Sequence, residues 1–152
     1  MSVGKLLGIA IRRARRAPME ECTAIEVSTE LGLANDARGQ MNRRQVSVLA
    51  RESWEAACEQ LGQTSPWTVR RANLLVEGLP LAETTGATLQ IGDLVLKITG
   101  ETDPCNRMDE QQAGLQEALM PDWRGGVLCR VVQGARIEVG DTVELGPAPS
   151  GE

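Results

Sequence analysis

The chain contains no histidine, no phenylalanine and no tyrosine in 152 residues. Without histidine there is no Ser-His-Asp triad, no Cys-His nucleophile pair, no HExxH zinc helix and no imidazole base near neutral pH. Chemistry must therefore come from cysteine, carboxylates, lysine, arginine or a bound cofactor. Trp54, Trp67 and Trp123 are the only large rings, so the core must be aliphatic and stacking platforms for single-stranded nucleic acid are lacking. The four cysteines, Cys22, Cys58, Cys105 and Cys129, show no CxxC spacing, which argues against a zinc site or a thioredoxin-like motif. No stretch approaches the roughly 20 apolar residues of a membrane helix. The apolar run from Leu6 to Ile11 is short and leads into arginines rather than a small-residue cleavage site, so it is no secretory signal. These absences predict a cytoplasmic protein with reduced thiols and neither membrane nor nucleic-acid partners.

What is present is the material of one domain, long enough to bury a core. The net charge of −5 hides a division. Residues 1–71 carry 11 basic and 8 acidic groups, whereas residues 72–152 carry 5 basic and 13 acidic. The positive half gathers Lys5, Arg12, Arg13, Arg15, Arg16, Arg38, Arg43, Arg44, Arg51, Arg70 and Arg71. Arginine forks bind phosphate oxygens in pairs, so a pocket for one small anion suits this distribution better than a nucleic-acid surface.

Patterning predicts strands near 3–11, 20–27, 44–50, 68–77, 86–91, 93–99, 126–133 and 135–145. A helix is expected over 51–61, where Trp54, Ala57, Cys58 and Leu61 form one apolar stripe. A second is expected near 109–119. Two echoes, Ile91-Gly92-Asp93 and Val139-Gly140-Asp141, read as one turn chemistry used twice between paired strands. Many short strands with two helices predict a mainly β fold, a barrel or other closed β-structure. A single domain over 1–146 is expected, with a flexible tail at 147–152 carrying Pro147 and Pro149.

Cys58 falls on the helix stripe, and Cys129 is in phase with Val127 and Val131, so both read as core. Cys22 has no special context. Cys105 differs: it follows the apolar run Leu94 to Thr99, in a Gly-, Asp- and Pro-containing turn. A rigid strand would present this thiol on a loop, where binding chemistry tends to sit. Asp103 and Glu101 work against its ionisation, since nearby carboxylates raise a thiol pKa.

The segment Arg71-Ala72-Asn73-Leu74-Leu75-Val76-Glu77-Gly78 resembles the Arg-x-Asn-apolar-apolar-apolar-x-Gly signature of MOSC domains, relatives of the C-terminal domain of molybdenum cofactor sulfurase. The resemblance continues through Gly86, Ile91-Gly92-Asp93, Pro104-Cys105, Gly114-Leu115, Arg124-Gly125-Gly126-Val127 and Val139-Gly140-Asp141. Upstream it takes in Gly32-Leu33, Asp36-Ala37-Arg38-Gly39 and Arg44 to Leu49.

The resemblance implies a MOSC-type closed β-barrel-like domain with about two helices and a molybdenum cofactor, Mo-pterin. Carried over, Cys105 would be the molybdenum ligand and the catalytic residue. Arg71 and Asn73 would help hold the cofactor, and Arg38 would face the pterin phosphate. Arg12 or Arg13 would take the place of a basic residue on the first strand. The implied activity is reduction of N-hydroxylated small molecules with electrons from a separate reductase. The amidoxime-reducing relatives carry an additional N-terminal β-barrel domain, so a minimal stand-alone MOSC domain is expected here. The alternatives are a sulfur carrier that forms a Cys105 persulfide beside a cysteine desulfurase, and a non-catalytic small-molecule binding module.

Overall fold

Alternation of apolar and polar residues suits a strand with one buried face; the longest strand, which opens the chain, alternates in burial over its first residues and is buried throughout its last four. The computed structural model describes residues 2–40, 42–102 and 107–147. The first strand, β1 (Ser2–Ile11), is followed by β2 (Glu20–Cys22), β3 (Ala24–Ser28) and β4 (Gly32–Leu33). Two 3-10 turns, Ala37–Gln40 and Asn42–Arg44, lead to β5 (Val46–Ala50), helix α1 (Arg51–Leu61), a third turn at Trp67–Arg70 and β6 (Leu74–Glu77). Strands β7 (Thr88–Ile91) and β8 (Leu94–Glu101) precede helices α2 (Arg107–Gln111) and α3 (Leu115–Leu119). A turn at Pro121–Trp123 enters β9 (Val127–Gln133), β10 (Ala135–Glu138) and β11 (Thr142–Gly146).

Seven strands close on themselves in the order β11-β7-β8-β9-β5-β6-β1, with β1 returning to β11. Strand β2 extends the sheet from β1, and β10-β3-β4 form a separate small sheet. Within the barrel only β5 and β6 are parallel, and parallel neighbours need a crossover, here the segment that carries α1. Each barrel strand contributes to one aliphatic cluster, for example Leu6, Val48, Leu74, Leu89, Leu96, Val127 and Val143. Strand β5 is buried along its whole length. Val46, Val48 and Ala50 join the barrel cluster, while Leu49 packs outside with Trp54, Cys58, Leu75, Leu115 and Leu119. A strand covered on both faces reads as an unbroken apolar run. Cys58 and Cys129 are buried as expected, Cys129 in the barrel and Cys58 under the helices.

The closed β fold and the helix at 51–61 agree with the sequence reading, and four boundaries depart from it. The expected strand 68–77 begins only at Leu74, because Trp67–Arg70 winds into a 3-10 turn and Arg71 takes a left-handed conformation with φ 64°. The expected strand 20–27 divides at Thr23, since β2 pairs with β1 while β3 pairs with β10. The expected strand 135–145 divides at Val139-Gly140-Asp141, where Gly140 has φ 99°. Gly92 does join paired strands, β7 and β8, but Gly140 joins strands that lie in different sheets. The expected helix 109–119 is two short helices separated at Gly114, whose φ of 84° ends the first and starts the second. The expected tail lies outside the described residues from position 148 onward.

Gly126 marks the closest backbone approach at the entry to β9. Its φ is 94°, and a Cβ there would lie 2.2 Å from the carbonyl oxygen of Val48 on β5. Neither the dihedral nor the contact admits a side chain without moving one barrel strand. Gly126→Ala is expected to cost about 3 kcal/mol or more. At about 2–4 °C per kcal/mol, calorimetry should find the midpoint lowered by roughly 6–12 °C. A loss below about 1 kcal/mol would contradict the close approach.

Candidate functional site

Strand β1 ends at Ile11, and the next residue begins the site. The backbone N–H of Arg12 donates to Asp36 Oδ1 at 2.9 Å, and that of Arg38 donates to Asp36 Oδ2 at 3.1 Å. The N–H of Ala37 returns a bond to the Arg12 carbonyl at 2.8 Å. The turn carrying Arg38 is thereby stitched to the end of β1. Gly39 allows the close packing there, since a Cβ would fall 1.5 Å from the Leu31 carbonyl oxygen.

The half-buried Arg38 side chain feels the charges of Arg12, Arg70 and Arg44 together with the opposing charge of Asp36. Burial first, and then Arg12 against the help of Asp36, pull the Arg38 pKa down to about 10. Arg38 is still a cation at neutral pH, held where a cation is disfavoured. An anion would reverse that penalty.

Arg70 is buried and joins three segments at the same mouth. Its Nε donates to the Gly125 carbonyl and its Nη2 to the Thr102 carbonyl, both at 3.1 Å, and its Nη1 lies 3.5 Å from Met108 Sδ. Thr102 is itself buried, and its Oγ1 has no hydrogen-bond partner among the described residues. An unmatched buried hydroxyl is uncommon in a folded protein. Cys105, three residues further on, lies outside the described residues.

The other expected cofactor residues do different work in the described structure. Asn73 is buried at the start of β6. Its Oδ1 accepts from the Ser47 N–H at 3.0 Å, and its Nδ2 donates to the Ala10 carbonyl at 3.1 Å. Ser47 Oγ accepts from the Asn73 N–H at 3.1 Å. One carboxamide thus binds β1, β5 and β6 together just below the arginines. Arg71 turns away to donate through Nη2 to the Ala17 carbonyl, which anchors the loop between β1 and β2. Of the two first-strand candidates the structure brings Arg12 to Arg38, whereas Arg13 pairs with Glu20 at 2.8 Å.

Arg44 and Arg70 were not singled out as site residues by sequence reasoning. Their signal was membership of the arginine-rich half, which does not reveal which members meet. The half-buried Cys22 thiol is pushed up by burial and by Glu20, with Arg13 opposing, and burial raises Cys129 strongly. Neither favours a thiolate. Among the described residues no three His, Cys, Asp or Glu side chains could hold a metal ion together. Among the described residues no helix is long and apolar enough to cross a membrane.

Fold and site together define a small closed β-barrel protein in which the turn carrying Arg38 is tied to the end of β1 and feels the charges of Arg12, Arg44 and Arg70. The chain belongs to the MOSC domain family, whose model matches residues 35–144. The YuaD protein from Bacillus subtilis has the same fold with a TM-score of 0.82, at 21% identity over 98% of this chain and 100% of that one. YiiM from Escherichia coli gives 0.71 at 15% identity, covering 96% of this chain and 71% of its own. YiiM from Geobacillus stearothermophilus gives 0.72 at 16% identity, with 97% and 75% covered. At such identities the likeness is one of fold. No curated protein matches the sequence.

Two outcomes follow from this geometry. Asn73→Ala leaves the Ser47 N–H and the Ala10 carbonyl buried without their partner, and is expected to cost about 2–4 kcal/mol in denaturant unfolding. A cost within about 0.5 kcal/mol would mean that the carboxamide does not tie these strands. Arg38→Gln should have the opposite effect on ligand-free protein. The lowered pKa means that folding disfavours the charged form at every pH below about 10, a penalty that fades as pH rises from there toward the ordinary arginine value. Removing the charge should therefore stabilise the protein at pH 7 by about 1 kcal/mol, or roughly 2–4 °C. Destabilisation on removing the charge would show that the cation is satisfied within the fold.

Proposed function

We propose that this MOSC-domain protein binds a molybdenum–pterin cofactor at the arginine mouth and reduces N-hydroxylated small molecules, with electrons delivered by a separate reductase. The observation that carries the reading is the Asp36 turn, which brings the backbones of Arg12 and Arg38 together, with the charges of Arg12, Arg44 and Arg70 all acting on the disfavoured Arg38 cation. A phosphate monoester answers this arrangement, because its oxygens accept paired N–H bonds and its charge relieves the repulsion. The unmatched Thr102 Oγ1 offers a further polar group at the same mouth. Both features fit a phosphorylated organic cofactor.

In this reading Arg12, Arg38 and Arg44 hold the phosphate. Arg70 adds positive potential and orders the ends of three segments around it. Asn73 and Arg71 fix the strand and the loop that wall the mouth. Cys105 supplies the thiolate for the metal, a soft donor suited to a molybdenum centre with sulfur ligands. A metal ligand is held deprotonated, which overrides the opposing influence of Asp103 and Glu101. When bound, the cofactor supplies two-electron oxygen-atom transfer, and the protein supplies binding, orientation and electrostatics.

Metal analysis and oxidised-pterin fluorescence on protein from a molybdenum-replete host test this reading. Near-equimolar molybdenum and pterin are expected in the wild type, reduced about tenfold in Cys105→Ala for the metal and in Arg38→Ala for both. Folded wild-type protein that stays empty when offered the cofactor would overturn it. A persulfide on Cys105 in that protein would then point to sulfur transfer.

A further inference from the structure

Asp36 is the buried carboxylate of the described chain, and its charge acts on the neighbouring Arg38. Such a group ordinarily forms an ion pair with its neighbours. Here both oxygens instead accept backbone N–H groups, Oδ1 from Arg12 at 2.9 Å and Oδ2 from Arg38 at 3.1 Å. The Asp36 N–H is bonded to Leu33 and its carbonyl to the Gly39 N–H, so the residue is held on both sides of its own turn. One rigid carboxylate therefore sets the separation between two Cα atoms that carry guanidinium groups.

We propose that Asp36 is a positioning residue, setting the spacing of Arg12 and Arg38 so that both can engage one phosphate-type anion. The proposal rests on the anion-binding part of the reading above and needs neither the metal, nor Cys105, nor the redox step. Its physical content lies in a conflict of signs. As a charge, Asp36 repels an incoming anion, so neutralising it should tighten binding. As a brace, it aligns the groups that bind the anion, so disturbing it should weaken binding. Asparagine keeps the shape of aspartate but replaces one acceptor by an NH2 donor. One of the two N–H groups of Arg12 and Arg38 would then face a donor, and the turn must shift. Geometry and charge thus predict opposite outcomes for the same substitution.

The test is titration of inorganic phosphate into the full chain, free of cofactor, by calorimetry at low ionic strength with chloride as the control anion. The wild type should bind phosphate, and Arg38→Gln should lose that binding. Asp36→Asn should weaken phosphate binding about tenfold despite the more positive site. Equal or tighter binding by Asp36→Asn would overturn the positioning role and leave the anion site standing. If the wild type does not bind phosphate, or Arg38→Gln binds it unchanged, the anion reading itself fails and the proposal falls with it. Asp36→Glu keeps the charge while moving the carboxylate by one methylene, and decides the matter if Asp36→Asn does not fold. Its affinity should fall about fivefold, whereas wild-type affinity would overturn the proposal.

Discussion

The antiparallel pairing of β1 with β11, from Ser2 opposite Leu145 to Lys5 opposite Thr142, makes this sheet a barrel. Most of the molecule depends on that closure. It joins the first strand to the last in the chain and removes two sheet edges. It also sets the direction of β1, whose far end meets β6 through Ile9 and Leu74 and β2 through Ile11 and Glu20. That far end delivers the Ala10 carbonyl to Asn73 and the Arg12 N–H to Asp36. The site is thus an outgrowth of barrel geometry, at the end of its closing strand.

The mouth is held in tension. The aliphatic cluster below it and the Asn73 network are satisfied internally, as close-packed interiors require. The arginines above them are not equally content, because burial and mutual repulsion both disfavour charge on Arg38. Local cost at a binding site, supported by a rigid frame, is a common arrangement in which stability is exchanged for function. Asp36 relieves part of that tension, since its carboxylate attracts the Arg38 cation while engaging the backbones of Arg12 and Arg38. Arg70 sets a limit on it from the other side, tying Thr102, Met108 and Gly125 around the same opening. In the proposed reading a phosphate-bearing ligand supplies the opposing charge.

Much of the architecture was legible in the chain. Helix α1 matched its expected span because Trp54, Ala57, Cys58 and Leu61 repeat at helical spacing, and Gly62 follows in the left-handed conformation that stops it. The barrel strands showed their period and their turn residues. Two departures fall at Gly114 and Gly140, where a glycine with positive φ breaks the run locally, and the other two are set by contacts distant in sequence. Arg71 is not a residue that announces a positive φ, yet its place between the Trp67–Arg70 turn and β6 imposes one. Thr23 carries no break signal, but it sits where β2 and β3 are claimed by different sheets. The motif names Arg38, and the turn puts its backbone N–H on Asp36. Arg70 and Arg71 are adjacent in the chain, and nothing in their identity says which would face the cluster and which the Ala17 carbonyl.

The sequence by itself determined a mainly aliphatic, strand-rich domain, a chemistry without imidazole, a surplus of arginine in the first half and the MOSC pattern. These properties follow from composition and short-range periodicity, which are written residue by residue. Only the tertiary structure decided that the charges of Arg12, Arg44 and Arg70 act on Arg38, that Arg71 anchors the loop at Ala17 while Asn73 ties three strands, and that Asp36 grips two backbones. Such assignments depend on which strand ends barrel closure brings together, and on which buried donors and acceptors remain to be matched. Both are settled by distances between residues far apart in the chain.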